Sequence, residues 1–292
     1  MNNISEITVP DSLLIVDLDN VKKLPKRFRT TSDQINTNAE LIDLTGLREL
    51  KSSGSGVFSQ NGLKKLQETV GENQNIIIVD TRNESHGYVN GMAVSWYSEK
   101  NYVNKKLTPK EVQQLENHNL KQLKAMDEIE FDYFEGKSFY MEKPLKAPYT
   151  VQTEKEMVEG EGFGYKRFFI TDHNKPSHEE IDQFIQFVKS VSEEDWLHFH
   201  CRGGVGRTTS FMLMYDMMKN VAEVRERDIF ERQRIIGGRD MFRLAEGTYK
   251  HEAAVERLDL LQTFYEYCKA NHTTNYQASW SEWFNEFHNS DL

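Results

Sequence analysis

Four short, mostly apolar runs, each bounded by polar or glycine-containing segments, organise the chain. They are residues 12–18 (SLLIVDL), 75–80 (NIIIVD), 166–171 (KRFFIT) and 195–200 (DWLHFH), and each predicts a β-strand. The run at 75–80 is apolar almost throughout, which is typical of a strand buried on both faces. Strands of this kind separated by helices indicate an α/β core with a largely parallel sheet.

Helix-start signals lie between these strands. Ser59 precedes a short helix that carries Leu63 and Leu66. The segments 108–111 (TPKE) and 177–180 (SHEE) are capping boxes, because each places a hydroxyl at the N-cap and a glutamate three residues later. In the last third of the chain, the pattern predicts helices at about residues 207–220, 225–236 and 248–270.

Two segments depart from this pattern. Residues 129–151 alternate and are rich in aromatic side chains, which predicts a small β sub-domain that pairs with the N-terminal strand, with 135–137 (EGK) as a hairpin turn. Residues 81–97 are polar and contain glycine directly after the buried strand at 75–80. We predict a functional loop there, because ligands collect at the carboxyl ends of strands in α/β folds.

Composition narrows the functional class. The 292 residues carry 36 Lys+Arg against 46 Asp+Glu, a net charge of −10, which argues against a general nucleic-acid binder. Two cysteines, Cys201 and Cys268, are too few for a disulfide framework. No apolar run approaches the ~18 residues of a membrane span, and the start lacks the regions of a signal peptide. We expect a soluble protein. If a leader was removed it is secreted or periplasmic, and otherwise it is cytoplasmic.

The segment that carries the chemistry is HCRGGVGRT, residues 200–208, and we call residues 201–207 the signature loop. The spacing from Cys201 to Arg207 lets a loop curl around a tetrahedral oxyanion with its backbone N–H groups pointing inward. Arg207 can grip two phosphoryl oxygens. The helix start that follows favours both a phosphate and a thiolate, so Cys201 is predicted to be a nucleophile with a lowered pKa. The predicted phosphate cradle is completed by Arg202, Gly203, Gly204, Val205 and Gly206.

Simpler interpretations exist for these residues. A buried, inert cysteine beside a turn is one, but it explains neither the three glycines nor the arginine. His200 is predicted to order the loop by hydrogen bonding, and a role as base is the less favoured alternative. Thr208 either donates to the Cys201 sulfur and eases its departure or is an ordinary residue of the first helical turn.

A phosphatase built on this loop also needs a general acid to protonate the leaving alkoxide. Asp172, in the segment TDHNKP, lies 29 residues before Cys201 at the end of a predicted strand. An ordinary turn aspartate is the alternative. Asp80 is the second candidate for the general acid, and it is also a candidate for substrate contact. The chain has no WPD tripeptide, so an ordinary tyrosine phosphatase is not the closest match.

Several segments, in chain order, resemble the bacterial PTP-like myo-inositol phosphatases, or PTP-like phytases, a branch of the protein-tyrosine-phosphatase superfamily. They are FRTTS (28–32), SGSG (53–56), VDTRNESHGYVNG with SWY (79–97), TDH (171–173), HC..GVGRTT (200–209) and ERQRIIGG (231–238). The resemblance implies one PTP-like α/β unit over residues 1–292, a mainly parallel central sheet flanked by helices. It also implies a small partial β-barrel from about residues 9–20 and 128–152.

The same resemblance implies metal-independent, stepwise hydrolysis of inositol polyphosphates such as phytate. Asp172 would be the acid, with His173 beside it at the substrate. Arg202 departs from the family pattern, in which the residue after the cysteine is often acidic or small.

A multiply anionic substrate that approaches a protein of charge −10 needs a local positive field. No metal-ligand spacing stands out and thiolate chemistry needs none, so we expect no metal and no cofactor. The expected partner is a small polyanionic substrate, not a nucleic acid. The candidates for its phosphate contacts are Arg29, Lys166, Lys175 and Arg202, with Lys250 as an additional one.

The sequence therefore predicts a cysteine-dependent inositol polyphosphate phosphatase. In this hypothesis Cys201 attacks phosphorus, Arg207 and the loop amides stabilise the equatorial oxygens, and Asp172 protonates the leaving oxygen and then activates water. The alternatives that the sequence leaves open are a phosphotyrosine-protein or phosphoinositide phosphatase, a non-catalytic phosphate-binding module and, less favoured, a sulfurtransferase.

Overall fold

The computed structural model describes residues 12–35 and 42–289, so most of the N-terminal stretch considered above for a leader lies outside it. The strands are β1 (Leu13–Leu18), β2 (Arg29–Thr30), β3 (Ser52–Ser55), β4 (Ile76–Asp80), β5 (His86–Val89), β6 (Met92–Tyr97), β7 (Glu128–Ile129), β8 (Leu145–Lys146), β9 (Val151–Gln152), β10 (Gly164–Arg167) and β11 (Trp196–His200). The helices are α1 (Gln60–Val70), α2 (Pro109–Lys124), α3 (Glu154–Gly160), α4 (His178–Ser190), α5 (Gly206–Asn220), α6 (Glu226–Ile235), α7 (His251–Asn271) and α8 (Trp280–Asn289).

The larger sheet has the strand order β10–β4–β11–β3–β2. Its first four strands are parallel and β2 joins antiparallel at the edge, which confirms the predicted α/β fold with a mainly parallel sheet. Strand β3 has the sequence SSGS and was not predicted, because it lacks apolar residues. Two of its hydroxyls are instead satisfied inside the sheet, where Ser53 and Ser55 hydrogen-bond the two ring nitrogens of His198.

The smaller sheet is antiparallel, in the order β1–β6–β5–β9. Strands β5 and β6 form a hairpin whose turn residues, Asn90 and Gly91, both have positive φ. This hairpin lies inside the segment predicted as a functional loop, so the loop is limited to residues 81–85. The Asn-Gly pair was the available signal, because it favours the tight turn of a two-residue hairpin.

Residues 130–144, which we call the insert loop, connect β7 to its antiparallel partner β8. The turn predicted at 135–137 is present, with Lys137 N donating to Phe134 O at 2.9 Å. However, the two sides of this turn do not pair with each other. Asp132 and Phe139 each bridge β1 instead. The boundaries of a separate β sub-domain remain a prediction.

Helices cover both faces of the larger sheet. Helices α4, α5, α7 and α8 pack in one cluster of apolar side chains, and α1 and α3 pack against the opposite face. Helix α5 is buried along almost its whole length, which is the pattern of a central helix. Its first turn is therefore fixed directly beneath the signature loop.

Local signals account for most helix starts and for one helix that was missed. Both predicted capping boxes form, at Thr108–Glu111 and at Ser177–Glu180. Helix α3, which was not predicted, begins at a third capping box of Thr153 and Glu156. Helix α8 was not predicted either. No helix within the described ranges is long and apolar enough to cross a membrane.

Candidate active site

Cys201 lies at the bottom of a cavity of about 430 Å³, between the end of β11 and the start of α5. Its side chain is buried, 3% exposed. Seven of the residues that line the cavity are Lys or Arg and two are Asp, so the lining is strongly cationic. The lining residues with charged or aromatic side chains are Asp17, Lys26, Arg27, Tyr97, Lys137, Asp172, His173, Arg202, Arg239, Tyr249, Lys250 and Arg257.

Two donors point at the Cys201 sulfur. The backbone N–H of Gly204 and the hydroxyl of Thr208 both lie 3.2 Å from Sγ. Donors of this kind stabilise negative charge on sulfur, because a hydrogen bond to a charged acceptor is stronger than one to a neutral acceptor. The geometry places Thr208 where the sequence predicted a donor to the sulfur.

Two carbonyl groups on the outward side of the signature loop accept hydrogen bonds from arginine side chains. Gly203 O accepts from Arg27 Nη1 at 2.8 Å, and Gly204 O accepts from Arg29 Nη1 at 3.0 Å. Arg29 is buried, and burial lowers its pKa to about 10. Arg29 was predicted to contact substrate, but the structure places it behind the loop and not among the residues that line the cavity.

Arg207 is fixed by a buried carboxylate that the sequence did not single out. Glu84 accepts from Arg207 Nη1 at 2.7 Å and from Nη2 at 3.0 Å. Burial by itself raises the pKa of Glu84, but the Arg207 and Arg82 guanidinium groups outweigh it and hold that pKa well below its usual range. Arg207 Nε is buried without a hydrogen-bond partner among the described residues. That N–H group is therefore available to a ligand in the loop.

Asp172 lines the cavity together with Cys201. One carboxylate oxygen lies 3.2 Å from Arg207 Nη2, and the other accepts from Asn101 Nδ2 at 3.2 Å. The alternative acid, Asp80, is wholly buried and engaged by Arg167 Nε and the Tyr165 hydroxyl, each at 3.1 Å. The structure thus brings Asp172 to the cavity and leaves Asp80 behind the loop.

His200 lies beneath the signature loop against a second carboxylate. Its Nε2 is 2.6 Å from Glu154 Oε1, and both side chains are fully buried. Glu154 begins helix α3, so this contact connects the nucleophile's strand to the helix on the opposite face of the sheet. The contact agrees with an ordering role for His200.

Asp80, His86 and Glu154 bring ligand atoms within 4.8 Å of one another, a spacing that could hold a metal ion. However, His86 Nδ1 lies 2.7 Å from the carbonyl of Glu84, and Nε2 lies 3.1 Å from Glu154 and 3.3 Å from Asp80. Nδ1 faces a carbonyl oxygen and Nε2 faces two carboxylates. Burial and the Arg82 and Arg167 guanidinium groups lower the pKa of His86, but the surrounding carboxylates, Asp80 and Glu116 among them, outweigh these effects and raise it to about 9. His86 is thus protonated at neutral pH and supplies a positive charge to this cluster.

The remaining predicted substrate contacts divide into two groups. Lys166 lines a different depression beside α4, over the ring of Phe168, and Lys175 is exposed outside the cavity lining. Neither reaches the cavity. His173 does line it, and burial lowers its pKa to about 4, so the ring is neutral at pH 7. Arg202 lines the cavity too, but its guanidinium is already engaged by Asp17.

Six cations that line the cavity form what we call the basic rim, and all of them except the buried Arg257 are at least partly exposed. Burial and then Arg239 lower the pKa of Arg257 to about 10. Burial lowers the pKa of Lys250, Asp172 opposes this effect, and Lys137, Arg239 and Arg257 add to the lowering. Mutual repulsion of this kind means that too little negative charge faces the cluster, which an anionic ligand would supply. The basic rim consists of Lys26, Arg27, Lys137, Arg239, Lys250 and Arg257.

Sequence reasoning named only part of the basic rim. Lys250 was a candidate, but Lys137, Arg239 and Arg257 were missed. Arg239 directly follows the segment 231–238 (ERQRIIGG), which was singled out as a family match, so a signal lay beside it. No sequence signal distinguishes Arg257 from the other charged residues of helix α7.

Comparisons with known proteins agree with this geometry. A family model, PTP-like phytase, described as inositol hexakisphosphate, matches residues 79–219. The structure of the PTP-like myo-inositol phosphatase from Mitsuokella multacida, in complex with myo-inositol-(1,3,4,5)-tetrakisphosphate, is 32% identical. The match covers 96% of this chain and 48% of the Mitsuokella chain, with a TM-score of 0.87.

Two further relatives extend the comparison. A PTP-like phytase from Bdellovibrio bacteriovorus is 28% identical, with a TM-score of 0.72, and the match covers 95% of this chain and 97% of that one. Effector protein hopD2 from Pseudomonas syringae pv. tomato is 28% identical over 263 residues, 88% of this chain and 56% of that protein. The chain thus spans about half the length of the Mitsuokella and Pseudomonas proteins.

The signature loop supplies a matched pair of glycine variants. Gly204 has a φ of +69°, and a Cβ there would lie 2.3 Å from the backbone nitrogen of Gly56. At Gly203 a Cβ would meet only Val205, at 3.9 Å. We expect Gly204→Ala to lower the free energy of unfolding by about 1–3 kcal/mol or more, and to weaken phosphate binding. Gly203→Ala should change stability by less than about 0.5 kcal/mol. Urea unfolding and phosphate titration check both, and equal effects of the two variants would contradict the geometry.

Proposed function

Because the chain belongs to the PTP-like phytase family, we propose that it is a cysteine-dependent phosphatase that removes phosphate groups stepwise from inositol polyphosphates such as phytate. The observation that carries this proposal is a single cavity lined by the hydrogen-bonded Cys201, by Asp172 and by the basic rim. Arg207 lies directly behind it, 3.2 Å from Asp172, with one N–H group that has no partner among the described residues.

The reaction begins when the Cys201 thiolate attacks phosphorus in line with the ester oxygen. The P–O bond breaks, a phosphocysteine forms, and Asp172 gives its proton to the leaving alkoxide. The signature-loop N–H groups and Arg207 stabilise the charge on the equatorial oxygens. Glu84 supports this step by holding the Arg207 guanidinium in place through two hydrogen bonds.

A water molecule then attacks the phosphocysteine. Asp172, now a carboxylate, takes a proton from that water, the S–P bond breaks, and inorganic phosphate is released. The departing thiolate accepts hydrogen bonds from Gly204 N–H and the Thr208 hydroxyl. These two donors lower the cost of the negative charge that returns to sulfur.

The substrate class follows from charge. The signature loop accommodates one phosphate, and every further phosphate of the substrate must lie against the cavity mouth, where the basic rim is. A protein of net charge −10 that concentrates six cations there creates a local field for a polyanion. The Mitsuokella phosphatase, whose fold this chain shares, is described in complex with an inositol tetrakisphosphate, which supports the same class here.

One assay tests the proposal against its alternatives. Phosphate release is measured from phytate, a phosphotyrosine peptide and a phosphoinositide lipid side by side, in excess chelator. We expect the highest kcat/KM with phytate. A higher value with the peptide or the lipid would favour a protein or lipid phosphatase, and no release from any substrate would favour a binding module.

Replacement of the nucleophile gives the first prediction on mechanism. Cys201→Ser should abolish turnover and leave phytate binding and the thermal midpoint close to wild type, because a serine hydroxyl in the same cradle is scarcely ionised. Steady-state kinetics and calorimetric titration check this. Turnover near the wild-type rate in the serine variant would refute the nucleophile assignment.

The general acid is tested through the leaving group. Asp172→Asn should lower kcat on phytate by about 10²–10⁴-fold, which is the usual contribution of a general acid. The loss should be much smaller with p-nitrophenyl phosphate, whose leaving group needs little protonation. If both substrates lose activity equally, Asp172 has a structural role and is not the acid.

The basic rim is tested with a matched pair of lysines. Lys250→Ala should raise the KM for phytate about 10-fold, since one partly shielded charged contact contributes roughly 1.5 kcal/mol, and should leave the KM for p-nitrophenyl phosphate nearly unchanged. Lys175→Ala, at an exposed lysine outside the cavity, is the control and should change neither. Added salt should act like Lys250→Ala, because screening weakens exposed contacts first. If Lys250→Ala and added salt raised the KM of both substrates equally, this result would count against an inositol polyphosphate as the substrate.

A further inference from the structure

Arg202, directly after the nucleophile, points out of the phosphate cradle. Its Nε donates to Asp17 Oδ1 at 2.7 Å, and its guanidinium carbon lies 4.7 Å from the centre of the Tyr97 ring. Its Nη2 donates to the carbonyl oxygen of Lys137. The Arg202 side chain is 15% exposed and that of Asp17 is 1% exposed. These contacts occupy two of the five guanidinium N–H groups and hold the Arg202 side chain in one orientation, which the sequence-based expectation of a phosphate contact did not include.

Asp17 is a fixed anchor for Arg202. Its second carboxylate oxygen accepts from Arg82 Nη2 at 3.1 Å, and Arg82 Nε in turn donates to Glu84 at 3.0 Å. Burial raises the pKa of Asp17, but Arg202 and Arg82 outweigh it and lower the pKa overall. Asp17 is therefore ionised at neutral pH, and the ion pair with Arg202 persists through the neutral range.

The insert loop, by contrast, has few attachments of its own. Its backbone bridges β1 only where Asp132 N donates to Leu14 O and Phe139 N donates to Val16 O, each at 2.7 Å. Four of its five aromatic side chains are at least 40% exposed, with exposed fractions of 51% for Tyr133, 40% for Phe134, 43% for Phe139 and 60% for Tyr140. Phe131 and Met141, nearer its two ends, pack partly buried against an apolar cluster. The tip between them buries less apolar area and depends more on polar contacts for its position.

Lys137 lies at the tip of this loop, where Gly136 and Lys137 both line the cavity. The carbonyl of Lys137 is the group that Arg202 binds, so this contact decides how far the tip stands from the signature loop. An arginine is required, because one planar guanidinium group must hydrogen-bond Asp17 through Nε and the Lys137 carbonyl through Nη2 at the same time. A lysine has a single ammonium group and cannot span both.

We propose that Arg202 is a positioning residue, anchored by Asp17, that holds the insert loop and its Lys137 at the cavity mouth and thereby sets the preference for multiply phosphorylated substrates. It does this without binding a phosphate itself. The substrate part of this inference rests on the proposed function. The positioning part does not, so the two are tested separately.

Hydrogen exchange without substrate tests the positioning. Arg202→Gln and Asp17→Asn should each speed amide exchange at least 10-fold across residues 132–139, while amides of helix α5 keep their protection and so report an intact fold. Lys137→Ala is the control, since it keeps the carbonyl and should leave exchange unchanged. Unchanged exchange of residues 132–139 in either Arg202→Gln or Asp17→Asn, with α5 protected, would overturn the proposal.

A double-mutant cycle tests the consequence for substrate. Lys137→Ala and Arg202→Gln should each raise the KM for phytate about 10-fold, or about 1.4 kcal/mol, with little change for p-nitrophenyl phosphate. The double variant should be no worse than Arg202→Gln, because both act through Lys137. An additive loss of about 100-fold would mean that Arg202 binds phosphate itself and would refute the inference.

The conservative variant separates the two roles further. Arg202→Lys keeps the charge but cannot span both partners, so it should resemble Arg202→Gln in both KM and exchange. Recovery of most of the wild-type KM in Arg202→Lys would indicate a direct phosphate contact. If wild type does not hydrolyse phytate at all, the proposed function fails, and the exchange measurement still decides whether Arg202 positions the insert loop.

Discussion

The site depends on a chain of alternating buried charges that runs behind the signature loop. Arg202 pairs with Asp17, Asp17 with Arg82, Arg82 with Glu84, and Glu84 with Arg207, which also contacts Asp172. The two arginines at the ends of this chain both belong to the signature loop. Removal of any inner member leaves an uncompensated buried charge, which costs about 3–5 kcal/mol. The network therefore ties both ends of the signature loop to one buried scaffold.

The same network joins the two sheets. Asp17 lies on β1 of the smaller sheet, whereas Arg207 follows β11 of the larger sheet. A neighbouring branch connects Asp80, Arg167 and Glu116. These two groups contain five carboxylates and four guanidinium groups, and the His86 ring lies beside Asp80 and a sixth carboxylate, Glu154. The excess of carboxylates around His86 favours its protonated form.

Charge is distributed unevenly between the interior and the cavity. Behind the loop, Arg82 and Arg167 each have carboxylate partners. In the basic rim, burial lowers the pKa of Lys250, and neighbouring cations lower it further. Paired charges fix the catalytic groups in position, while unpaired ones leave electrostatic free energy to be recovered when an anion binds. A protein with an overall charge of −10 can in this way attract a polyanion at one point of its surface.

The sequence alone predicted the fold class, the resemblance to the PTP-like phytases and a phosphate cradle at the signature loop. These follow from local patterns, since Cys201 and Arg207 are close in the chain and lie between a strand and a helix whose apolar periods are readable.

The direction of each long charged side chain could not be predicted from the sequence. Glu84 meets Arg207 across 123 residues and Arg202 meets Asp17 across 185. Arg29, Lys166 and Lys175 carry the same charge as Lys250 and Arg257, yet only the last two reach the cavity. Charge is a property of a residue, but whether it is paired, buried or free is decided by the distant segments that fold against it, and only the tertiary structure contains that information.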